Sequence, residues 1–171
     1  LDIVLINDLP MIHMADLGLN AALVKRYEQE DRRGILGYAV SAIKELNAVN
    51  DLFEASLETE TSNTNLHTSF LVIANSRQYG TGYEINPTGR LDDQKFEVCA
   101  MKELSVDTVF QNLFNPDSEG STNGIFDTSS YNQAEIKLKK AVDFQIDGEY
   151  IGKVKELSIK VHSNQLNLLA P

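Results

Sequence analysis

The stretch that decides the fold is 142-VDFQIDGEY-150. Val142, Phe144 and Ile146 alternate with polar residues, which predicts a half-buried β-strand. The strand runs directly into Asp147-Gly148, a dipeptide that suits the positive φ angles of a tight hairpin turn. The arrangement places the carboxylates of Asp147 and Glu149 at the rim of a sheet. Asp-Gly turns are also common structural punctuation, so a plain hairpin with a solvated acid is the alternative interpretation.

The rest of the chain is dominated by short β patterns. Alternating or continuous apolar runs are separated by polar turns, and no internal repeat is present. Many short strands with polar turns indicate an antiparallel two-sheet sandwich. Strands are predicted at 3–6, 11–15, 53–58, 70–74, 95–101, 134–139, 142–146, 156–162 and 165–169.

A helical segment at about 20–50 interrupts this pattern. Asn20 suits a helix N-cap, and apolar residues from Ile35 to Leu46 recur in steps of three and four, as in an amphipathic helix. A short helix is predicted at 105–112, and loops at 59–65, 75–92 and 115–130. The predicted class is therefore α+β, mostly β: one domain, 1–171, in which the helical segment packs on the sandwich.

Composition excludes several classes of protein and site. The 171 residues carry a net charge of −10, which argues against constitutive binding to nucleic acid or to an anionic membrane. Cys99 is the only cysteine, so neither an intrachain disulfide nor a cysteine metal site is expected. The chain has no apolar run long enough to span a membrane and no signal-peptide pattern. Because it starts at Leu1 without a methionine, we expect a processed product or a fragment.

Four segments, taken in order, resemble the C-terminal domain of the diacylglycerol kinase and sphingosine kinase-like lipid kinases, above all the bacterial branch. Together they extend over nearly the whole chain. The chain departs from the family pattern at Asn20 (usually Asp), at Thr81 (usually Gly) and at Gln94-Lys95 (usually Gly-Leu). The four segments are 14-MADLGLNA-21, 33-RGILGY-38, the stretch from 72-VIAN-75 through 79-YGTG-82 and Pro87 to 91-LDD-93, and 147-DGE-149.

The resemblance implies an ATP-dependent kinase that transfers the γ-phosphate to a lipid hydroxyl. Asp147 would be the general base, and Glu149 would lie near the nucleotide and metal. Asp93, with the backbone oxygens of Arg90 and Lys95, would bind a separate Mg²⁺. Magnesium prefers oxygen ligands, but a turn residue that caps its own backbone is an equal alternative for Asp93.

The same resemblance sets expectations about the rest of the enzyme. The family's nucleotide-binding domain carries Gly-Gly-Asp-Gly-Thr, and this chain has no Gly-Gly-Asp. ATP and Mg²⁺ would therefore be bound mainly by an N-terminal domain absent from this chain, and the chain alone would be inactive. A lipid substrate, transient contact with a membrane surface, a homodimer, no nucleic acid partner and a cytoplasmic, membrane-peripheral location are the further expectations. The lipid-binding residues are unknown.

Two alternatives stay open. The departures at Asn20, Thr81 and Gln94 favour a stand-alone, non-catalytic lipid-binding or regulatory module. An NAD kinase β-domain fits less well, because its characteristic Gly-Ser-Thr-Ala-Tyr segment is missing. Here Gly120-Ser121-Thr122 continues as Asn123-Gly124.

Overall fold

The computed structural model describes residues 1–18, 21, 52–78, 84–101 and 126–162. Within these ranges the protein is an antiparallel β structure, since every strand pairing is antiparallel. The strands are β1 (Ile3–Ile6), β2 (Leu9–Met11), β3 (Met14–Gly18), β4 (Phe53–Glu58), β5 (Asn63–Thr68), β6 (Phe70–Ala74), β7 (Phe96–Met101), β8 (Phe126–Tyr131), β9 (Gln133–Ile146) and β10 (Glu149–His162).

The long β9–β10 hairpin connects two groups of strands. One group contains β1, β4 and β10, and the other contains β3, β6 and β7. The first half of β9 pairs with β4, and its last residues pair with β3. The sheet order is β2-β1-β10-β9-β3-β6-β7-β8, with β5 reached through β4. On its other side, residues 138–141 of β9 lie opposite only Lys155 of β10, because Lys137 pairs with Glu156 and Val142 with Val154. Bulges of this kind bend a strand, so the hairpin passes from one group of strands to the other.

A single hydrophobic core joins the two groups. Side chains from β1, β4 and β10 pack in the same cluster as side chains from β3, β6 and β7. The alternation predicted for β4 is confirmed, since Phe53, Ala55 and Leu57 are buried. Every residue of β6 is buried, as the continuous apolar run at 70–74 predicts. The mostly β, antiparallel class is therefore confirmed, and the structure is consistent with the predicted sandwich.

Several predicted boundaries are wrong. The loop predicted at 59–65 contains the start of β5, and the loop predicted at 115–130 contains all of β8 except its last residue. Both are polar edge strands, so their backbones pair without the hydrophobic alternation that marks a strand in sequence. The segments predicted as separate strands at 134–139 and 142–146 form one strand, β9, and β10 begins at Glu149 rather than 156.

The opening hairpin is also displaced from its prediction. Asn7 and Asp8 form the turn with φ values of 49° and 64°, and the returning strand β2 is Leu9–Met11 rather than 11–15. Pro10 is accommodated because β2 lies at the edge of the sheet. After β2 the chain starts β3, which pairs with β6 and β9.

The helical predictions fall mainly outside the described residues. Of the segment 20–50, only Ala21 is described, and it is helical and buried. The short helix at 105–112 and the strand at 165–169 lie wholly outside the described ranges. These elements therefore stay predictions.

Cys99 is expected to be chemically inert in the folded protein. It lies buried in β7, and burial raises the pKa of its thiol from the usual 9.0 to about 12. A raised acid pKa stabilises the fold below pH 9.0, and this contribution is lost as the pH rises toward 12. A thiol reagent should react with Cys99 in denaturant and not in buffer at pH 8. Equal rates in the two conditions would contradict the burial.

Candidate functional site

The turn at Asp147-Gly148 has the predicted conformation. Ile146 pairs with Glu149, so these two residues close the hairpin around a two-residue turn. Asp147 has a φ of 50° and Gly148 a φ of 91°. Positive φ at both central positions matches the twist of the flanking strands. The turn is thus a rigid support for the carboxylates on either side of Gly148.

The carboxylate of Asp147 is held by the connection between β2 and β3. Its Oδ2 accepts a hydrogen bond from the backbone N–H of Ile12 at 2.8 Å. Its Oδ1 accepts two more, from the N–H groups of His13 at 2.9 Å and Met14 at 3.0 Å. The backbone N–H of Asp147 also donates to the carbonyl oxygen of Met14 at 2.8 Å. We call these four hydrogen bonds the Asp147 clasp. It fixes the carboxylate in one orientation although the side chain is exposed.

A buried polar pair lies directly beneath the clasp. Asp16 of β3 and Gln145 of β9 are opposite each other, and both are almost fully buried. The Gln145 Nε2 donates to Asp16 Oδ2, and the Gln145 Oε1 accepts from the N–H of Gly148 at 2.7 Å. Gln145 therefore connects the hairpin turn to β3. Sequence reasoning missed this pair, because Gln145 occupies a polar position of the alternating pattern that predicts a half-buried strand.

Glu149 lies on the other side of Gly148 from Asp147. Its side chain is exposed at the first residue of β10, and among the described residues it makes no ion pair and no side-chain hydrogen bond. The structure thus brings the two predicted carboxylates to one sheet end. Asp147 is immobilised there and Glu149 is not.

The β6 end belongs to the same region. Asn75, which follows β6 directly, is fully buried. Its side-chain amide donates to the carbonyl oxygens of Ile12 at 2.8 Å and Asp2 at 3.0 Å, and its backbone N–H donates to His13 O at 3.0 Å. Three of the segments that carry the resemblance, around residues 14, 75 and 147, therefore meet at Ile12-His13.

A cavity of about 570 Å³ adjoins the clasp through His13. The His13 Nδ1 is hydrogen-bonded to Ser76 Oγ at 2.8 Å. The described residues that line the cavity are His13, Ser76, Arg77, Gln78, Gly89, Arg90, Leu91 and Asp92. Sequence reasoning did not single out Arg77 or His13. A larger cavity, of about 670 Å³, lies beside the β4–β5 turn and contains none of the clasp residues.

Asp93 has a turn-capping role in this structure. Its Oδ1 accepts from the backbone N–H of Lys95 at 3.1 Å. Gln94 has a φ of 60°, and its N–H donates to the buried carboxylate of Asp2 at 2.6 Å. Asp2 Oδ1 is buried and has no hydrogen-bond partner in the part of the chain that the structure describes, so oxygen donors of the kind that magnesium prefers are present near this turn.

These donors do not amount to a complete metal site. No cluster of three or more His, Cys, Asp or Glu side chains suited to a metal occurs in the described ranges. Asp93 would therefore have to rely mainly on backbone oxygens, and its Mg²⁺ stays a prediction.

In the described ranges, no helix is both long and apolar enough to cross a membrane.

Known proteins resemble the chain in sequence and in fold. An uncharacterized protein of Synechocystis sp. is 26% identical over 185 residues, which cover 99% of this chain and 41% of that protein. A diacylglycerol kinase structure from Bacillus anthracis str. Sterne superposes with a TM-score of 0.60 at 10% identity, covering 94% of this chain and 49% of the other. A diacylglycerol kinase candidate from the same organism gives a TM-score of 0.67 at 13% identity, with 94% and 53% coverage.

The family profile for the YegS C-terminal NAD kinase β-sandwich-like domain matches residues 13–170. This chain shares its fold with these diacylglycerol kinase-like structures, as the resemblance predicts. The chain spans less than half of its Synechocystis relative and about half of these structures. It belongs to the YegS C-terminal NAD kinase β-sandwich-like domain family.

Proposed function

We propose that the chain is the substrate-side domain of an ATP-dependent lipid kinase and that Asp147 is its general base. The observation that carries this proposal is the Asp147 clasp. It holds one carboxylate rigidly at the point where the segments around residues 14, 75 and 147 meet. Phosphoryl transfer depends mainly on positioning and electrostatics, so an immobilised carboxylate suits the proton-accepting role.

The hydrogen bonds single out one oxygen of Asp147 as the base. A carboxylate offers about four lone-pair sites, two on each oxygen. Among the described residues, Oδ1 accepts from two N–H groups, whereas Oδ2 accepts from one, that of Ile12. Oδ2 therefore keeps the site at which a substrate hydroxyl would bind and leave its proton. The hydroxyl oxygen would then bond to the γ-phosphorus while the bond from that phosphorus to the β,γ-bridging oxygen breaks and ADP departs.

Glu149 would act on the nucleotide side. Its exposed carboxylate lies across Gly148 from Asp147 and has no partner among the described residues. Carboxylates are typical Mg²⁺ ligands, and Mg²⁺ bound with ATP neutralises charge on the phosphates. One free carboxylate does not make a nucleotide site, so the remaining ligands would come from outside this chain.

The alternative of a non-catalytic lipid-binding module rested partly on Gln94. The conformation of Gln94 weakens that part of the argument for the module. Gln94 adopts a φ of 60°, which is the left-handed conformation that a glycine takes easily. Glutamine at this position is thus compatible with a left-handed turn. Asn20 and Thr81 lie outside the described residues, and the module stays the competing proposal.

The test is ADP release by the natural polypeptide that contains this chain. We expect release that depends on an added lipid with a free hydroxyl, such as diacylglycerol in mixed micelles, and that stops when the hydroxyl is acylated. The acylated lipid is the matched control, since it keeps the hydrophobic surface. Saturable lipid binding without ADP release would contradict the kinase and support the module.

A further inference from the structure

We propose that the cavity beside His13 binds a phosphate group, either the phosphomonoester of a lipid headgroup or free phosphate. This inference goes beyond the kinase proposal and does not require Asp147 to be a base. The chain has a net charge of −10, yet the described residues that line this cavity include two guanidinium groups and one carboxylate. A local excess of positive charge in an acidic protein calls for an anionic ligand.

Arg77 supplies the central recognition group. Its Nε donates to the carbonyl oxygen of Gly89 at 3.0 Å, which fixes the plane of the guanidinium. Its two terminal amino groups make no hydrogen bond or ion pair with the described residues, and the side chain is exposed. A guanidinium anchored at Nε presents its remaining donors as a fork, and such a fork binds phosphate oxygens in a bidentate manner.

Arg90 is available because its present partner is weak. It pairs with Asp92 at 3.2 Å, and both side chains are 64% exposed. Exposed pairs of this kind contribute little free energy. A phosphate that already contacts Arg77 would therefore compete well with Asp92 for Arg90. The hydrogen-bonded His13 and Ser76 side chains add polar groups on the side toward the clasp.

Buried contacts hold the backbone of the cavity wall around Arg77 and Gly89 in place. The carbonyl oxygen of Arg77 accepts from the N–H groups of Ile85 and Asn86, each at 3.1 Å. Asn86 is fully buried, and its side-chain amide donates to the buried Glu97 carboxylate at 2.6 Å. A Cβ at Gly89 would lie 2.2 Å from the Asn86 Nδ2, so only glycine permits this close packing. Both the backbone and the side chain of Arg77 are thus held before any ligand arrives.

The cavity has space for more than a phosphate ion. Its volume of about 570 Å³ accommodates a phosphate together with part of a headgroup. It also opens next to the clasp, because the N–H of His13 binds Asp147 while its ring lines the cavity. A phosphate bound there would be separated from the Asp147 carboxylate by His13 alone.

The test is a titration of the 171-residue chain, followed by amide NMR, with inorganic phosphate alone. We expect saturable shifts at residues 76–78 and 89–92, and at least tenfold weaker binding in Arg77→Gln. Asp92→Asn should bind more tightly than wild type, because it frees Arg90. Lys139→Gln is the matched control, since Lys139 of β9 is an exposed cation paired with Glu54 of β4. This variant should leave phosphate binding unchanged.

A second arm distinguishes the source of the phosphate. Vesicles of phosphatidylcholine with phosphatidic acid should recruit the chain more strongly than phosphatidylcholine alone if the ligand is a headgroup. If neither vesicle recruits the chain but phosphate binding is saturable, the ligand is free phosphate. If there is neither vesicle recruitment nor saturable phosphate binding, the inference is overturned. It is also overturned if Arg77→Gln and Lys139→Gln weaken phosphate binding equally. Should Arg77→Gln unfold, Arg77→Lys replaces it, since lysine keeps the charge and loses the fork. Phosphate binding with no ADP release would leave this inference standing and overturn only the kinase.

Discussion

Asp147→Asn is expected to lower the turnover of the natural polypeptide by about 10²–10⁴-fold, the usual contribution of a general base. Asparagine tolerates the φ of 50° at this position. Its carbonyl oxygen can still accept from His13 and Met14, so two of the three clasp bonds onto the side chain persist. The fold should therefore survive while the proton acceptor is lost.

Asp147→Ala is a poorer test than the sequence alone suggests. Without the structure, an alanine at a solvated turn is expected to leave the fold intact. The clasp predicts instead a loss of about 2–3 kcal/mol in the free energy of unfolding, from three missing acceptor bonds and a left-handed alanine. Asp8→Asn is the matched control, because Asp8 occupies the opening hairpin turn with a φ of 64° and should be silent in both assays.

Gln145→Leu is expected to lower the free energy of unfolding by about 3 kcal/mol. Leucine removes the donor to the buried Asp16 carboxyl group and the acceptor of the Gly148 N–H in one step. Asp16 is fully buried, so water does not replace the partner that its carboxyl group loses. Urea denaturation monitored by circular dichroism gives the free energy directly.

Two further variants make this result interpretable. Gln133→Leu changes the same residue type at the exposed first position of β9 and should have an effect near zero. Asp16→Val combined with Gln145→Leu should recover part of the lost stability, because replacing both partners leaves no orphaned group from this pair. A Gln145→Leu variant as stable as Gln133→Leu would show that the buried pair is not the support of the hairpin.

Local patterns predict much of this fold. The burial of β4 and β6 and the Asp147-Gly148 turn all follow from a few consecutive residues. The polar strands β5 and β8 escape prediction, because their order comes from hydrogen bonds to β4 and β7 and not from their own side chains. The continuity of β9 is missed for a similar reason, since Lys139 and Lys140 interrupt the apolar alternation where the strand bulges.

The site is predicted less completely than the fold. Asp147 and Glu149 are neighbours in sequence, so a hairpin motif is enough to place them together. The donors that hold Asp147 lie 133–135 residues away, and no periodicity relates them to it. The same holds for Arg77, whose role depends on a carbonyl group at Gly89. Contacts of this kind are set by topology and become visible only in three dimensions.

The decisive test of Asp147 as the base is label transfer from γ-³²P-ATP to lipid, measured side by side for the wild-type polypeptide and Asp147→Asn at matched folded concentration. We expect labelled phospholipid from the wild type, about 1% or less of that rate from Asp147→Asn, and an unchanged rate from Asp8→Asn. Label entering lipid at the same rate in wild type and Asp147→Asn would contradict the assignment of Asp147 as the base.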